Sequence, residues 1–198
     1  MRADEYFSRY YETFYILFNT GLRISEFCGL TLDDLDFEKG SIRVNKQLQR
    51  TSDMRYYVER PKTGSGERYI PMTREVERCF KRLIDRRPSF EDEPTVDGVC
   101  GFLCFDKNGR PKVALHWEKY FQHVAKKYGR IREDELPKIT PHVCRHTFCS
   151  KMAKNGMNPA KLKYIMGHAD ISVTLNTYTH VGFADIRHDM LEISDNLL

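Results

Sequence analysis

Between Tyr6 and Phe18 an apolar side chain returns every three or four positions, at Tyr6, Phe7, Tyr10, Phe14, Leu17 and Phe18. That is the period of a helix with one buried stripe, and Gly21 predicts its end. A second helix is expected from Ile24 to about Gly29. The period then shortens. "SIRVNKQLQR" alternates as a strand does, and "RYYVERPKTGSGERYIPM" reads as two extended runs divided at "KTGSG", a β-hairpin.

Helical spacing resumes after Thr73, which is placed to cap a helix carrying Val76, Phe80, Leu83 and Ile84. "RRPSFEDEPTVDG" reads as a loop and "FLCF" as a short strand. "ALHWEKYFQHVAKKYG" reads as a helix with Leu115, Tyr120, Phe121 and Val124 inward. In the last third, Thr140 before Pro141 and Asn158 before Pro159 pair an N-cap with a favoured first-turn proline. Asn155–Gly156 and Gly167 stop the two helices so begun, and Asp170 can cap a short third one leading to Tyr178. In the tail, Phe183–Leu198, the residues Ile186, Met190, Ile193 and Leu197 recur at helical spacing, which predicts an amphipathic helix. Helices, a small antiparallel sheet and helices again make an α+β domain dominated by helix.

Composition narrows the class. A chain of 198 residues, 40% hydrophobic and 30% charged, can bury an ordinary core. No apolar run approaches the ~18 residues of a membrane span, and the charged N-terminus lacks a signal-peptide layout. Six cysteines without a C-x-x-C pair suit reduced thiols and a cytoplasmic location. A net charge of +4, with Lys and Arg gathered at "KNGRPK", "KKYGRIR" and "SKMAKNGMNPAKLK", hints at a polyanionic partner.

The densest chemistry is in "TPHVCRHTFCSKM", Thr140 to Met152. His142, His146 and Cys149 invite a metal reading. A zinc-hydrolase helix would carry a glutamate after the first histidine, where this chain has Val143, and Arg145 would repel a divalent ion. His142 and Arg145, three apart, share one helical face and suit an anionic oxygen such as a phosphate. A surface arginine beside a hydrogen-bonded histidine is the plainer alternative. No Gly-rich phosphate loop is visible, and no cofactor is implied.

"NTGLRISEFCGL", "PKTGSGERYIPM", "TPHVCRHTFCSKM" and "IMGHADISVTLNTYTHV" occur in that order. Together they resemble the catalytic domain of tyrosine recombinases, the phage integrase family, and the hairpin is similar to integrases of conjugative transposons. The resemblance covers nearly all of residues 1–198. It places the family's active site on Arg23, Lys62, His142, Arg145, His168 and the nucleophile Tyr178, with Glu26 in support.

The implied reaction breaks and rejoins DNA strands through a 3′-phosphotyrosyl link, for integration or excision of a mobile element, without ATP or metal. In it His142 takes the tyrosine proton, Arg23 and Arg145 clamp the phosphate, His168 adds a hydrogen bond, and Lys62 protonates the leaving 5′-oxygen. His146 is left as structural, bonding a backbone carbonyl. The implied partners are double-stranded DNA and three further copies of the chain, a tetramer on two DNA partners formed from free monomers, with the tail exchanged between protomers. Family members usually carry a DNA-gripping domain before this one, so the chain is expected to be a fragment or a minimal form. A type IB topoisomerase and a non-catalytic DNA-binding module are the competing readings.

Overall fold

The computed structural model describes residue 4 and residues 6–61, 67–132 and 138–178. A short 3-10 turn, Ser8–Tyr10, leads into α1, Tyr11–Thr20, which ends at Gly21 with φ +68°. Left-handed backbone here favours glycine, and space demands it too, because a Cβ would lie 2.6 Å from Phe148 Cδ1. The chain turns into α2, Ile24–Gly29. Of the apolar positions read in the first helix, Tyr6 is exposed, while Phe7, Tyr10, Phe14 and Leu17 are buried.

Five short strands follow: β1, Leu35–Asp36; β2, Ser41–Val44; β3, Gln47–Arg50; β4, Tyr56–Glu59; and β5, Arg68–Pro71. The run expected to be one strand is cut at Asn45–Lys46 into β2 and β3, which join different sheets. Among the described residues β1, β2 and β5 form one antiparallel sheet, and β3 and β4 a second. The expected β4–β5 hairpin is therefore corrected. β4 pairs with β3, Leu48 facing Val58, and β5 pairs with β2, Ile42 facing Ile70. Each extended run takes its antiparallel partner from upstream, an outcome that alternation along one strand does not encode. The "FLCF" strand is also corrected, since Phe102 and Phe105 make only isolated bridges, to Thr31 and Pro111.

The helices agree more closely. Thr73 Oγ1 accepts from Val76 N and starts α3, Arg74–Asp85, burying Val76, Phe80 and Leu83. In α4, Ala114–Arg132, the inward residue of the first turn is Trp117, while Leu115 is exposed. Thr140 caps α5, Pro141–Lys154; Asn158 caps α6, Pro159–Met166; and Asp170 caps α7, Ile171–Leu175.

One main core joins α1, α2, α4 and both sheets. Phe14 meets Phe121 with ring centroids 3.9 Å apart, and Tyr10 stacks on Tyr120 at 4.1 Å. A satellite core of Phe148, Cys149, Leu162 and Met166 locks α5 to α6, with Tyr178 packed against it. Each large apolar side chain so buried contributes about 1.5–3 kcal/mol. Between the two cores α5 lies against α1, which brings the loop after Gly21 towards the end of α6. No described helix is long and apolar enough to cross a membrane.

Candidate active site

Arg23 is the N-cap of α2, in extended backbone. Three residues on, Glu26 reaches back, its Oε2 accepting from Arg23 N at 2.8 Å, the return half of a capping box. Its Oε1 accepts from Arg23 Nη1 at 2.8 Å. The same carboxylate receives a second arginine, Arg68 of β5, which donates from Nη1 to Oε1 at 3.0 Å and from Nη2 to Oε2 at 2.9 Å. Burial alone would push the Glu26 carboxyl up. The hydrogen bonds and charge of Arg68, then the charge of Arg23, outweigh it and leave the group below its usual range.

Arg145 comes from the second turn of α5, on the face opposite the solvent. It is buried, and its guanidinium donates to Gly21 O at 2.5 Å and to Met166 O. Burial first, then the neighbouring Arg23, push it down to about 9, so it stays charged at neutral pH. The carbonyls at the end of α6 show a pattern. Ile165 O accepts from Arg68 Nε at 2.7 Å, Met166 O accepts from Arg145, and Gly167 O accepts from Arg23 Nη2 at 3.1 Å. The last carbonyls of a helix lack intrahelical donors and carry partial negative charge. Here three consecutive ones each take a different guanidinium.

His168 follows directly. Its Nδ1 lies 3.0 Å from the buried Thr174 Oγ1 of α7. Burial, then Arg145, Arg23 and Arg68, push the imidazole down to about 4, so it is neutral at pH 7. His142 and His146 project from α5 into solvent with their Nε2 atoms 2.8 Å apart. His146 was expected to bond a carbonyl; it bonds the other imidazole, because i and i+4 stack on one helix face. Burial, then His142 and Arg145, hold it below the usual histidine range.

Tyr178 closes the described chain after α7. Its hydroxyl donates to Met157 O in the α5–α6 turn, and burial, then Cys149, raise its pKa. Cys144 and Cys149 are buried packing residues.

The fold thus gathers Arg23, Glu26, Arg145 and His168 around one point. His142 stands on the same helix as Arg145. Among the described residues, no hydrogen bond joins the Tyr178 hydroxyl to that cluster. Lys62 and the tail Phe183–Leu198 lie outside the described residues. Sequence reasoning passed over Arg68 and Thr174. Arg68 was visible in principle, since "RYIP" alternates with arginine in phase with the buried Ile70, and a cation on an inward position needs a buried anion.

Three guanidinium groups face one carboxylate, so among the described residues two positive charges are unmatched. Comparison with known proteins supplies the family. The phage integrase family matches residues 2–185. The transposase of transposon Tn916 from Enterococcus faecalis is 45% identical over 193 residues, covering 98% of this chain and 47% of that protein. Tyrosine recombinase XerA of Pyrococcus furiosus is 30% identical over 166 residues, covering 84% of this chain and 48% of that one. This chain spans about half the length of such curated relatives. Among solved structures, the Tn1549 transposon integrase in complex with circular intermediate DNA superposes with a TM-score of 0.89 at 44% identity, covering 97% of this chain and 62% of that one. The fold, the arginine cluster and the extent of these matches together establish that this chain belongs to the phage integrase family, the tyrosine recombinases.

Proposed function

We propose that the chain is the catalytic domain of a site-specific recombinase that integrates or excises a mobile element. It cleaves DNA by attack of Tyr178 Oη on a backbone phosphorus. The P–O5′ bond breaks, a 3′-phosphotyrosyl bond forms, and the 5′-hydroxyl departs; reversal with a second 5′-hydroxyl rejoins strands. The bond energy is kept in the ester, so no ATP enters. The observation that carries this reading is the surplus of two positive charges around Arg23, Arg68, Arg145 and Glu26, which fits one phosphodiester and the charge that grows on its non-bridging oxygens.

Arg23 and Arg145 are the phosphate clamps. His168, neutral beside them, contributes a hydrogen bond: in the tautomer whose Nδ1 accepts from Thr174, Nε2–H is the donor to a phosphate oxygen. A tyrosine is ionised about one part in a thousand at pH 7, so using it as a free phenolate costs ~4 kcal/mol. His142 serves as the base that removes this proton during attack, and Lys62 as the acid for the 5′-oxygen. In the DNA-free protein the Tyr178 hydroxyl is held by Met157 O, a bond worth about 1 kcal/mol that must be given up on attack.

The similar Tn1549 integrase forms a complex with circular intermediate DNA, which supports DNA as the partner of this chain too. Four protomers on two DNA duplexes are the proposed assembly, with the tail Phe183–Leu198 of each packed on a neighbouring protomer. A nicked suicide duplex, from which the cleaved 5′ fragment diffuses away, tests the chemistry. A denaturation-resistant protein–DNA band in EDTA, absent from Tyr178→Phe, is expected. Cleavage by the Phe variant would remove Tyr178 from its role.

A further inference from the structure

Arg68 is fully buried, so it touches neither solvent nor a DNA phosphate. Even so, all three nitrogens of its guanidinium bond to the candidate site. Nη1 and Nη2 grip both oxygens of Glu26, and Nε binds Ile165 O at 2.7 Å. Three separate segments, β5, the start of α2 and the end of α6, therefore meet on one planar group. An ammonium could not reproduce that fork.

The effect on Arg23 follows from charge. Glu26 has one negative charge and two cations. With Arg68 absent, it would pair one-to-one with Arg23, whose side chain is the more exposed of the two arginines. Arg23 would then be neutralised and drawn onto the carboxylate, with less left for a phosphate. With Arg68 in place, Glu26 is saturated by four hydrogen bonds. Arg23 then keeps a fixed orientation, with Nη1 on Glu26, Nη2 on Gly167 O and its net charge available. Gly167 is part of the same device. Its φ is +60°, and a Cβ there would stand 2.8 Å from Arg68 Nη1 and 2.9 Å from Cζ, so the end of α6 approaches the guanidinium as only glycine allows.

We infer that Arg68 is a positioning residue of the strand-cleavage reaction. It acts through Glu26 and the end of α6 to hold Arg23 in its phosphate-binding orientation. This rests on the proposed reading of Arg23 and Tyr178. Because Arg68 acts at a distance from the DNA, it should govern the rate of the chemical step rather than affinity. An error of about 1 Å in a clamp costs up to ~100-fold in rate.

The test begins with wild-type protein and a nicked duplex library of randomised sequence, from which the duplexes that become covalently attached are recovered. One recovered duplex then serves as the substrate for single-turnover cleavage at saturating protein, which separates chemistry from binding. Arg68→Met, Arg68→Lys and Gly167→Ala should each slow cleavage by about 10- to 100-fold, with DNA affinity in a shift assay changed by less than about twofold. Combined with Arg23→Lys, Arg68→Met should add little further loss, as residues acting in one unit are non-additive. Thermal melting checks folding; should Arg68→Met fail to fold, the lysine and alanine variants, which keep the positive charge, carry the same comparison with Arg23→Lys. Full activity of Arg68→Lys, or losses that multiply fully with those of Arg23→Lys, would overturn the inference while leaving Tyr178 chemistry intact. No covalent attachment by wild type would instead overturn the reading of Tyr178, and this inference with it.

Discussion

Replacing Glu26 by alanine should cost the fold about 3–5 kcal/mol, because it strands a buried charge. The carboxylate accepts four hydrogen bonds, but they do not count equally. The Arg23 side chain is 39% exposed and can turn to water, so its loss is small. The Arg68 side chain is 0% exposed and, among the described residues, keeps only its bond to Ile165 O. Two charged hydrogen bonds at about 1.5–3 kcal/mol each give about 3–6 kcal/mol, which overlaps that range. The measurement is urea unfolding followed by circular dichroism at pH 7, with the denaturant slope unchanged between wild type and variant. The pH dependence adds a second constraint. Glu26 has a folded pKa below its ordinary 4.5, so its contribution is complete above that value and is lost as the pH falls through the folded one. The gap between wild type and Glu26→Ala should therefore close in acid. Adding Arg68→Met to Glu26→Ala should recover part of the loss, since no unpaired charge remains. A loss below about 1 kcal/mol, or a gap that does not change with pH, would refute this account of the buried pair.

The His168 imidazole, titrated by NMR, should show a pKa near 4 in the free protein and rise when a phosphodiester duplex binds, as the added negative charge offsets Arg145 and Arg23. Because that folded value lies below the ordinary 6.5, His168 also contributes stability that is full above pH 6.5 and declines as the pH falls towards 4. Gly21→Ala should destabilise by at least about 1–2 kcal/mol in the same urea assay, through left-handed backbone and the Phe148 contact. Arg145→Lys should slow single-turnover cleavage by about 100-fold or more, since an ammonium cannot span Gly21 O, Met166 O and a phosphate together.

Capped elements were the most legible. Thr73, Thr140, Asn158 and Asp170 each announce a helix through a local hydrogen bond, and the structure makes all four. Strand pairing was not legible, because a strand's alternation records which face is buried but not which neighbour lies beside it. Hence β4 and β5 were expected together, yet each pairs upstream. The first turn of α4 misled for a related reason, since Trp117 fills the inward position and leaves Leu115 in solvent. In the candidate site, Arg23 and Glu26, three apart, do meet across the start of α2, whereas His142, three before Arg145 and expected on its face, is exposed and bonds His146 while Arg145 is buried. The union of Arg23, Arg68 and Arg145 on three successive carbonyls of α6 joins segments far apart in the chain. Only the fold creates it.

The central claim is that Tyr178 becomes covalently joined to DNA, and peptide mass spectrometry of the trapped adduct tests it most directly. Trypsin leaves one peptide between Lys163 and Arg187 that holds both Tyr164 and Tyr178, so fragmentation must assign the attachment. The account predicts a nucleotide phosphodiester on Tyr178 Oη, formed equally in EDTA. Attachment at Tyr164 or any other side chain, or a cleaved duplex with no protein joined to it, would contradict the account.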